Sequence, residues 1–130
     1  MRLAVVGSRG FEIYDILEAT IDELRTIYDI TTIVSGGAKG ADHLAEIYAE
    51  ENGLELDVYP ADWDKYGKGA GYIRNTDIWN NSDLGVAFWD GESKGTAHSF
   101  KLSEKQKKKL YVFNYSKMDF YLHSPLLRKL

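Results

Sequence analysis

The sequence predicts an α/β fold of the Rossmann-like type, a five-stranded parallel sheet with helices on both faces. Three observations carry that expectation. Apolar runs of strand length alternate with segments whose apolar residues recur every three or four positions. The strand-like runs are continuous in Val, Ile, Leu and aromatic residues rather than alternating, which suits strands covered on both sides. Four glycine-rich segments, 7–10, 35–40, 66–71 (after a longer loop) and 90–96, follow the strand-like runs, each with a cation able to meet an anion, and in a parallel sheet all such segments gather along one edge.

Five strands are expected, at Arg2–Gly7, Thr31–Ser35, Leu54–Tyr59, Asp83–Trp89 and Lys109–Tyr115. Between the first two, Ile13, Ile16, Leu17, Ile21, Leu24, Ile27 and Tyr28 fall on one helical face. Ala41, Leu44, Ala45 and Tyr48 make a second such face, and Gly53 is a plausible stop. A third helix is expected over Tyr72–Asn80, after a long connection at 60–70 of the kind that often carries function. A fourth opens near Thr96 and runs to about Lys107. The tail is ambiguous: Met118–Leu122 suits a helix, and Ser124-Pro125 marks a break. Right-handed crossovers between such elements predict the strand order 3-2-1-4-5, with a ligand crevice between strands 1 and 4 where the order reverses.

A chain of 130 residues fits one domain, here 1–130, and an apolar fraction of 44% is enough for a real core. The absence of cysteine excludes disulfides and thiol nucleophiles. A net charge of −4 argues against a general attraction to membranes or nucleic acid. The opening run Leu3-Ala4-Val5-Val6 is too short for a signal peptide, and no apolar stretch nears the ~18 residues that a membrane span needs. The expected location is therefore cytoplasmic.

The chemistry concentrates in the loops. Gly7-Ser8-Arg9-Gly10 joins a closely approachable backbone to a hydroxyl and a guanidinium able to fork onto phosphate. Ser35-Gly36-Gly37-Ala38-Lys39-Gly40 leads into a helix, and consecutive amides at a helix N-terminus cradle anions. Its spacing matches neither the dinucleotide-binding fingerprint nor the P-loop. Asp42, just beyond it, can either take a ribose hydroxyl or complement the helix dipole; both readings stay open. Asp90-Gly91-Glu92-Ser93-Lys94-Gly95-Thr96 lies beside the expected crevice, with Thr96 suited both to capping a helix and to contacting phosphate. Arg74 and Asn75 form a polar pair at the start of the third helix. Trp63 and Trp89 offer faces on which a base can stack.

Other features carry less. Asp62 and Asp64 have the spacing of a weak metal motif, and His43, His98 and His123 show no ligand spacing, so no metal and no cofactor are expected. His98 is the one acid–base candidate among them. The lysines at 105 and 107–109 suit a helix C-terminus.

Taken together, Val6–Phe11, Val34–Asp42, Pro60–Trp63, Gly71–Asn75 and Ala87–Thr96 make the chain resemble the YspA/YpsA-related branch of the SLOG superfamily, over about residues 3–115. The tail 116–130 falls outside the resemblance. It implies a Rossmann-like domain that binds nucleotides or nucleotide-derived signals such as ADP-ribose-type molecules, including signals of bacterial defence. It also implies two alternatives. The LOG-type relatives are phosphoribohydrolases that cleave the N-glycosidic bond of nucleoside monophosphates, using a GGxGTxxE segment and an arginine from an earlier helix. Here Gly95-Thr96 matches the GT, Arg74 is the counterpart sought for the arginine, and Ser99 stands where the glutamate belongs, a departure that counts against hydrolysis. Glu92 is the nearby carboxylate that could substitute. The DprA-type relatives bind single-stranded DNA, which the acidic charge disfavours. The leading expectation is non-catalytic binding of a nucleotide-derived small molecule. Phosphate would meet the amides of Gly7, Gly36–Gly40, Gly95 and Thr96 and the cations Arg9, Lys39, Arg74 and Lys94. Homo-oligomerisation is also plausible, with Phe120-Tyr121-Leu122 either contributing or packing on its own domain.

Overall fold

The computed structural model describes residues 1–123. Six strands form one sheet: β1 (Arg2–Gly7), β2 (Thr32–Ser35), β3 (Glu55–Val58), β4 (Leu84–Trp89), β5 (Lys109–Asn114) and β6 (Asp119–Leu122). Their order is β3-β2-β1-β4-β5-β6. The first five are parallel, in the predicted order, while β6 runs antiparallel to β5.

The helices are α1 (Tyr14–Arg25), α2 (Ala41–Glu51), a one-turn α3 (Trp63–Tyr66), α4 (Ala70–Asn80) and α5 (Lys94–Gln106). A 3₁₀ turn at Gly67–Gly69 joins α3 to α4. The sheet divides the core into two apolar layers because side chains alternate along each strand. Leu3, Val5, Ile33, Val86 and Phe88 point to one side and pack against Leu17, Ile21 and Leu24 of α1 and Ala45 and Tyr48 of α2. Ala4, Val6, Val34, Ala87 and Val112 point to the other and meet Ile78 and Trp79 of α4 and Phe100 of α5.

On that second face the residues of β1 and β4 are small where α4 crosses them. The Trp79 indole lies fully buried against Gly85, within 2.9 Å (at Cζ2) of where a β-carbon would stand. Gly85 pairs in register with Ala4 on one side and Leu110 on the other. One missing side chain in the central strand thus makes room for the bulkiest ring of the core.

The sequence reading is corrected at the C-terminal end and in the long connection. The sheet has six strands and is mixed, not five-stranded and wholly parallel. Residues 119–122 form a strand where the pattern suggested a helix. A short apolar run is ambiguous between the two by periodicity alone. The partner decides it: β5 would otherwise leave an open edge, and Phe120 stacks near Tyr111 and Phe113 at 5.8 and 6.3 Å. The hairpin turn is organised by Asn114, whose Oδ1 accepts the backbone N–H groups of Ser116 and Lys117 at 3.0 and 3.1 Å. The break expected at Ser124-Pro125 lies outside the described residues. The connection at 60–70 is largely helical rather than loop, because Asp62 caps α3 by accepting the Lys65 N–H at 3.1 Å. Helix α4 accordingly starts at Ala70, two residues before the position expected, and α5 starts at Lys94 rather than near Thr96.

Candidate functional site

The loops that follow β1, β2 and β4 meet at the C-terminal edge of the sheet, on either side of the switch between β1 and β4. Local hydrogen bonds hold each loop in place. Ser8 N–H donates to the Phe88 carbonyl at 2.9 Å, and Ser8 Oγ accepts the Asp90 N–H at 3.2 Å, tying the first loop to β4. Asp90 Oδ1 accepts the amides of Glu92 and Ser93, both at 2.8 Å, so the third loop folds around its own carboxylate. Those two amide bonds hold the Asp90 carboxyl below its ordinary range. Gly40 has φ of +78°, a region that favours glycine, and a β-carbon there would lie 2.6 Å from the Arg9 carbonyl oxygen. The first and second loops can touch because that position has no side chain.

Between the loops and the N-terminal ends of α4 and α5 lies a cavity of about 500 Å³, within the size range of small-molecule sites. Its mouth carries the cations Arg9, Lys68 and Arg74 and the half-exposed rings of Trp63 and Tyr72. Its deeper wall is formed by Val6, Asn75, Ile78, Thr96 and Ser99, all buried. Ser8, Asp42, Asp90, Ser93 and Gly95 complete most of the rest.

Arg74 is the best-anchored cation. Its Nη1 donates to the Gly36 carbonyl at 2.9 Å, and its Nε donates to Asn75 Oδ1 at 3.1 Å. The Asn75 amide then donates to the Gly95 carbonyl at 3.3 Å, so one chain of contacts links the second loop, α4 and α5. Asp42 lies close by, buried in the first turn of α2, with Oδ2 accepting the Ala38 N–H at 3.1 Å. Burial pushes its carboxyl up to about 6, against the opposing pull of the Ala38 amide and the Arg74 charge. Burial likewise pulls Arg74 down from its ordinary value.

The raised Asp42 value has a sign that can be measured. Between pH 3.8 and about 6 the folded chain holds more of this proton than the unfolded one. The contribution of Asp42 to stability is therefore greatest below that window and is lost as pH rises through it. Asp42→Asn is expected to remove this slope and to raise stability at pH 7–8 by on the order of 2–3 kcal/mol relative to the wild type. Urea denaturation of both proteins across pH 4–8 checks this; parallel curves would contradict it.

Not every residue singled out from sequence reaches the cavity. Gly7, Ser8, Arg9, Ala38, Asp42, Trp63, Arg74, Asn75, Gly95 and Thr96 line it. Ser35, Gly36, Gly37, Lys39, Gly40, Trp89 and Lys94 stand outside its wall. Ser35 and Gly36 support it from behind: Ser35 Oγ accepts the Gly37 N–H at 3.2 Å, and Gly36 holds Arg74. Gly37, Lys39 and Gly40 border a separate, shallower recess with His43 and Glu46. The Trp89 ring packs edge-on to Phe100 at 4.9 Å and donates to the Ser93 carbonyl at 3.1 Å. Thr96 sits inside the first turn of α5, donating its hydroxyl to Ser93 Oγ at 3.3 Å, rather than at the cap. Lys68, from the glycine-rich segment 66–71, lines the cavity too, and Tyr72 and Ile78 are wall residues that the sequence did not reveal. Tyr72 belongs to the segment read as a helix start, where no spacing rule points inward. His98 is close to Asn75 Nδ2, at 3.4 Å from Nδ1, and outside the wall. Among the described residues no group of three or more His, Asp or Glu could hold a metal ion, and no helix is long and apolar enough to cross a membrane.

The same architecture occurs in known proteins. DNA processing protein A from Helicobacter pylori, a protein studied for its mode of binding single-stranded DNA, superposes with a TM-score of 0.62 at 21% identity, over 86% of this chain and 64% of that one. DNA processing protein A from Streptococcus pneumoniae does so with a TM-score of 0.64 at 20% identity, over 85% of this chain and 49% of that one. The chain thus spans roughly half to two thirds of the length of these solved structures, and at such identities the likeness is one of fold. The gene 61 protein of Mycobacterium phage D29 is 34% identical over 122 residues, covering 88% of this chain and 95% of the phage protein. The model of the YspA, cpYpsA-related SLOG family matches residues 1–66, half of the chain. With the sheet order, the converging loops and that match in agreement, the chain belongs to the YspA, cpYpsA-related SLOG family.

Proposed function

We propose that this protein binds a nucleotide or nucleotide-derived small molecule, of which ADP-ribose-type molecules are one class, in the cavity between the β1, β2 and β4 loops. The observation that carries this reading is the combination at one mouth of three cations, Arg9, Lys68 and Arg74, with two half-exposed aromatic rings, Trp63 and Tyr72. Cations and loop amides suit phosphate, and aromatic faces suit a base. The two carboxylates of the wall do not cancel this. Asp90 is occupied by its own loop amides, and Asp42 by the Ala38 amide beside Arg74.

Native mass spectrometry of the purified protein, followed by denaturation and identification of released small molecules, tests the reading directly. A nucleotide-class molecule released from the protein, or saturable binding of adenosine monophosphate or ADP-ribose by calorimetry, is expected. No bound molecule and no heat with either ligand would defeat it. Chromatography of the same incubations for free base separates binding from N-glycosidic cleavage; the proposal expects the ligand to be recovered intact.

A second reading, single-stranded DNA binding, is favoured by one observation: the fold is shared with the Helicobacter pylori protein that binds single-stranded DNA. Gel shifts with an oligonucleotide across a salt series distinguish it. DNA binding driven by phosphate contacts weakens steeply with salt, whereas the small-molecule reading expects no shift near physiological salt.

A further inference from the structure

The deep end of the cavity holds one polar group that the protein itself does not satisfy. Ser99 is 1% exposed, lines the cavity, and its Oγ has no hydrogen-bond partner. Buried hydroxyls elsewhere in this chain find an outlet in the preceding helical turn. Thr20 Oγ1 donates to the Ile16 carbonyl at 2.7 Å, Ser82 Oγ to the Ile78 carbonyl at 2.7 Å, and Ser103 Oγ to the Phe100 carbonyl at 2.8 Å. Ser99 makes no such bond, and the carbonyl one turn before it, that of Gly95, receives the Asn75 amide instead.

Its neighbours on the floor are accounted for. Asn75 accepts from Arg74 and donates to Gly95, and the Thr96 hydroxyl donates to Ser93. Val6 and Ile78 are apolar and buried. The floor therefore presents two aliphatic surfaces and a single free hydroxyl. Arg9 and Lys68 are exposed at the mouth, and Arg74 is held there by the second loop. A buried polar group without a partner is rare in a folded protein and calls for an explanation in the ligand or solvent it meets.

We infer that Ser99 makes the cavity floor a seat for an uncharged, hydrogen-bonding end of the ligand, a sugar hydroxyl or a base edge, while a phosphate stays at the cationic mouth. The inference rests on the proposed nucleotide binding and adds to it an orientation and a class: nucleotides with one neutral end, not those carrying a phosphate at both. A second phosphate on the floor would lose its hydration, and the guanidinium nearest to it, that of Arg74, is already engaged by the Gly36 carbonyl and Asn75.

The test compares wild type, Ser99→Ala and Ser99→Cys for binding of adenosine monophosphate, ribose phosphate and adenosine bisphosphate, together with thermal denaturation without ligand. Both variants are expected to bind adenosine monophosphate about tenfold more weakly, the loss of one hydrogen bond to a group left unpaired. Their Tm is expected to equal or exceed that of the wild type, since the lost hydroxyl bonds no other group of the protein. The same loss with ribose phosphate assigns the contact to the sugar; a loss confined to adenosine monophosphate assigns it to the base; each supports the inference. Wild-type affinity in Ser99→Ala, or a fall in its Tm that accounts for weaker binding, overturns it. So does a wild type that binds the bisphosphate as tightly as the monophosphate. If the wild type binds none of the three but binds ADP-ribose, the same variants are compared with that ligand; if it binds no ADP-ribose either, the proposed function falls and this inference with it; if the variants bind as the wild type does, this inference alone falls.

Discussion

Gly85→Ala is expected to destabilise the protein by about 3 kcal/mol, a Tm loss on the order of 10 °C for a chain of this size. The cause is local and specific. The added methyl group would stand inside the contact distance of the Trp79 ring, 2.9 Å from Cζ2 and closer still to Cη2. Neither partner can retreat. Gly85 belongs to the central strand β4, paired on both sides. Trp79 is fully exposed to the core and not at all to solvent, between the sheet and α5. Close-packed interiors transmit such an overlap rather than absorb it. Trp79→Phe in the same protein removes the ring atoms that collide, so the double variant should recover part of the loss and be clearly non-additive. Thermal denaturation of the three variants decides the matter. Equal stability of Gly85→Ala and wild type would show that the indole has room to move.

The same chemical change one loop away should leave the fold intact and empty the site. A β-carbon at Gly36 would collide with Arg74 Nη1, lie 2.9 Å from Arg74 Cδ and 2.9 Å from Asp42 Oδ2. These are the ends of side chains, not backbone, so the strand need not shift. The guanidinium must move instead, giving up the Gly36 carbonyl and turning from its place at the mouth. Charge-assisted hydrogen bonds of this kind are worth about 1.5–3 kcal/mol. If Arg74 meets the ligand phosphate, Gly36→Ala weakens adenosine monophosphate binding by roughly ten- to a hundredfold, with a Tm change of only a few degrees. Arg74→Ala should give a similar loss, and the double variant little more than either alone, because both remove one positioned cation. Calorimetric titration of the set checks this. Full additivity would mean that Gly36 acts by some route other than Arg74.

These two glycines mark what a sequence reading can and cannot reach. Gly36 stands in a motif, Ser35-Gly36-Gly37-Ala38-Lys39-Gly40, whose position after a strand announces a backbone site. Gly85 sits inside an apolar run, Leu84–Trp89, where nothing in the spacing tells that Trp79 will lie on it. Loop positions were legible because parallel strands send their C-terminal loops to one edge wherever the strands run. The inward or outward turn of each loop side chain was not. Lys39 and Lys94 flank the glycines as closely as Arg9 does, yet only Arg9 lines the cavity. Trp89 was paired with Trp63 as a stacking surface, but a hydrogen bond to Ser93 and the Phe100 ring occupy it. Tyr72 carries no inward signal of its own: a helix capped by Asp62 turns the connection between β3 and α4 toward the site, bringing Tyr72 there together with Lys68 of the glycine-rich segment 66–71.

The order of the first five strands, the two-faced core and the edge at which the loops meet were determined by the amino-acid pattern alone, since apolar period and chain connectivity leave few ways to cover a parallel sheet. The sixth strand, the Gly36–Arg74–Asn75–Gly95 chain of contacts and the unpartnered hydroxyl of Ser99 were decided only in three dimensions. Each depends on which groups from distant segments arrive together and which hydrogen bonds are already taken when they do, and no local sequence signal carries that information.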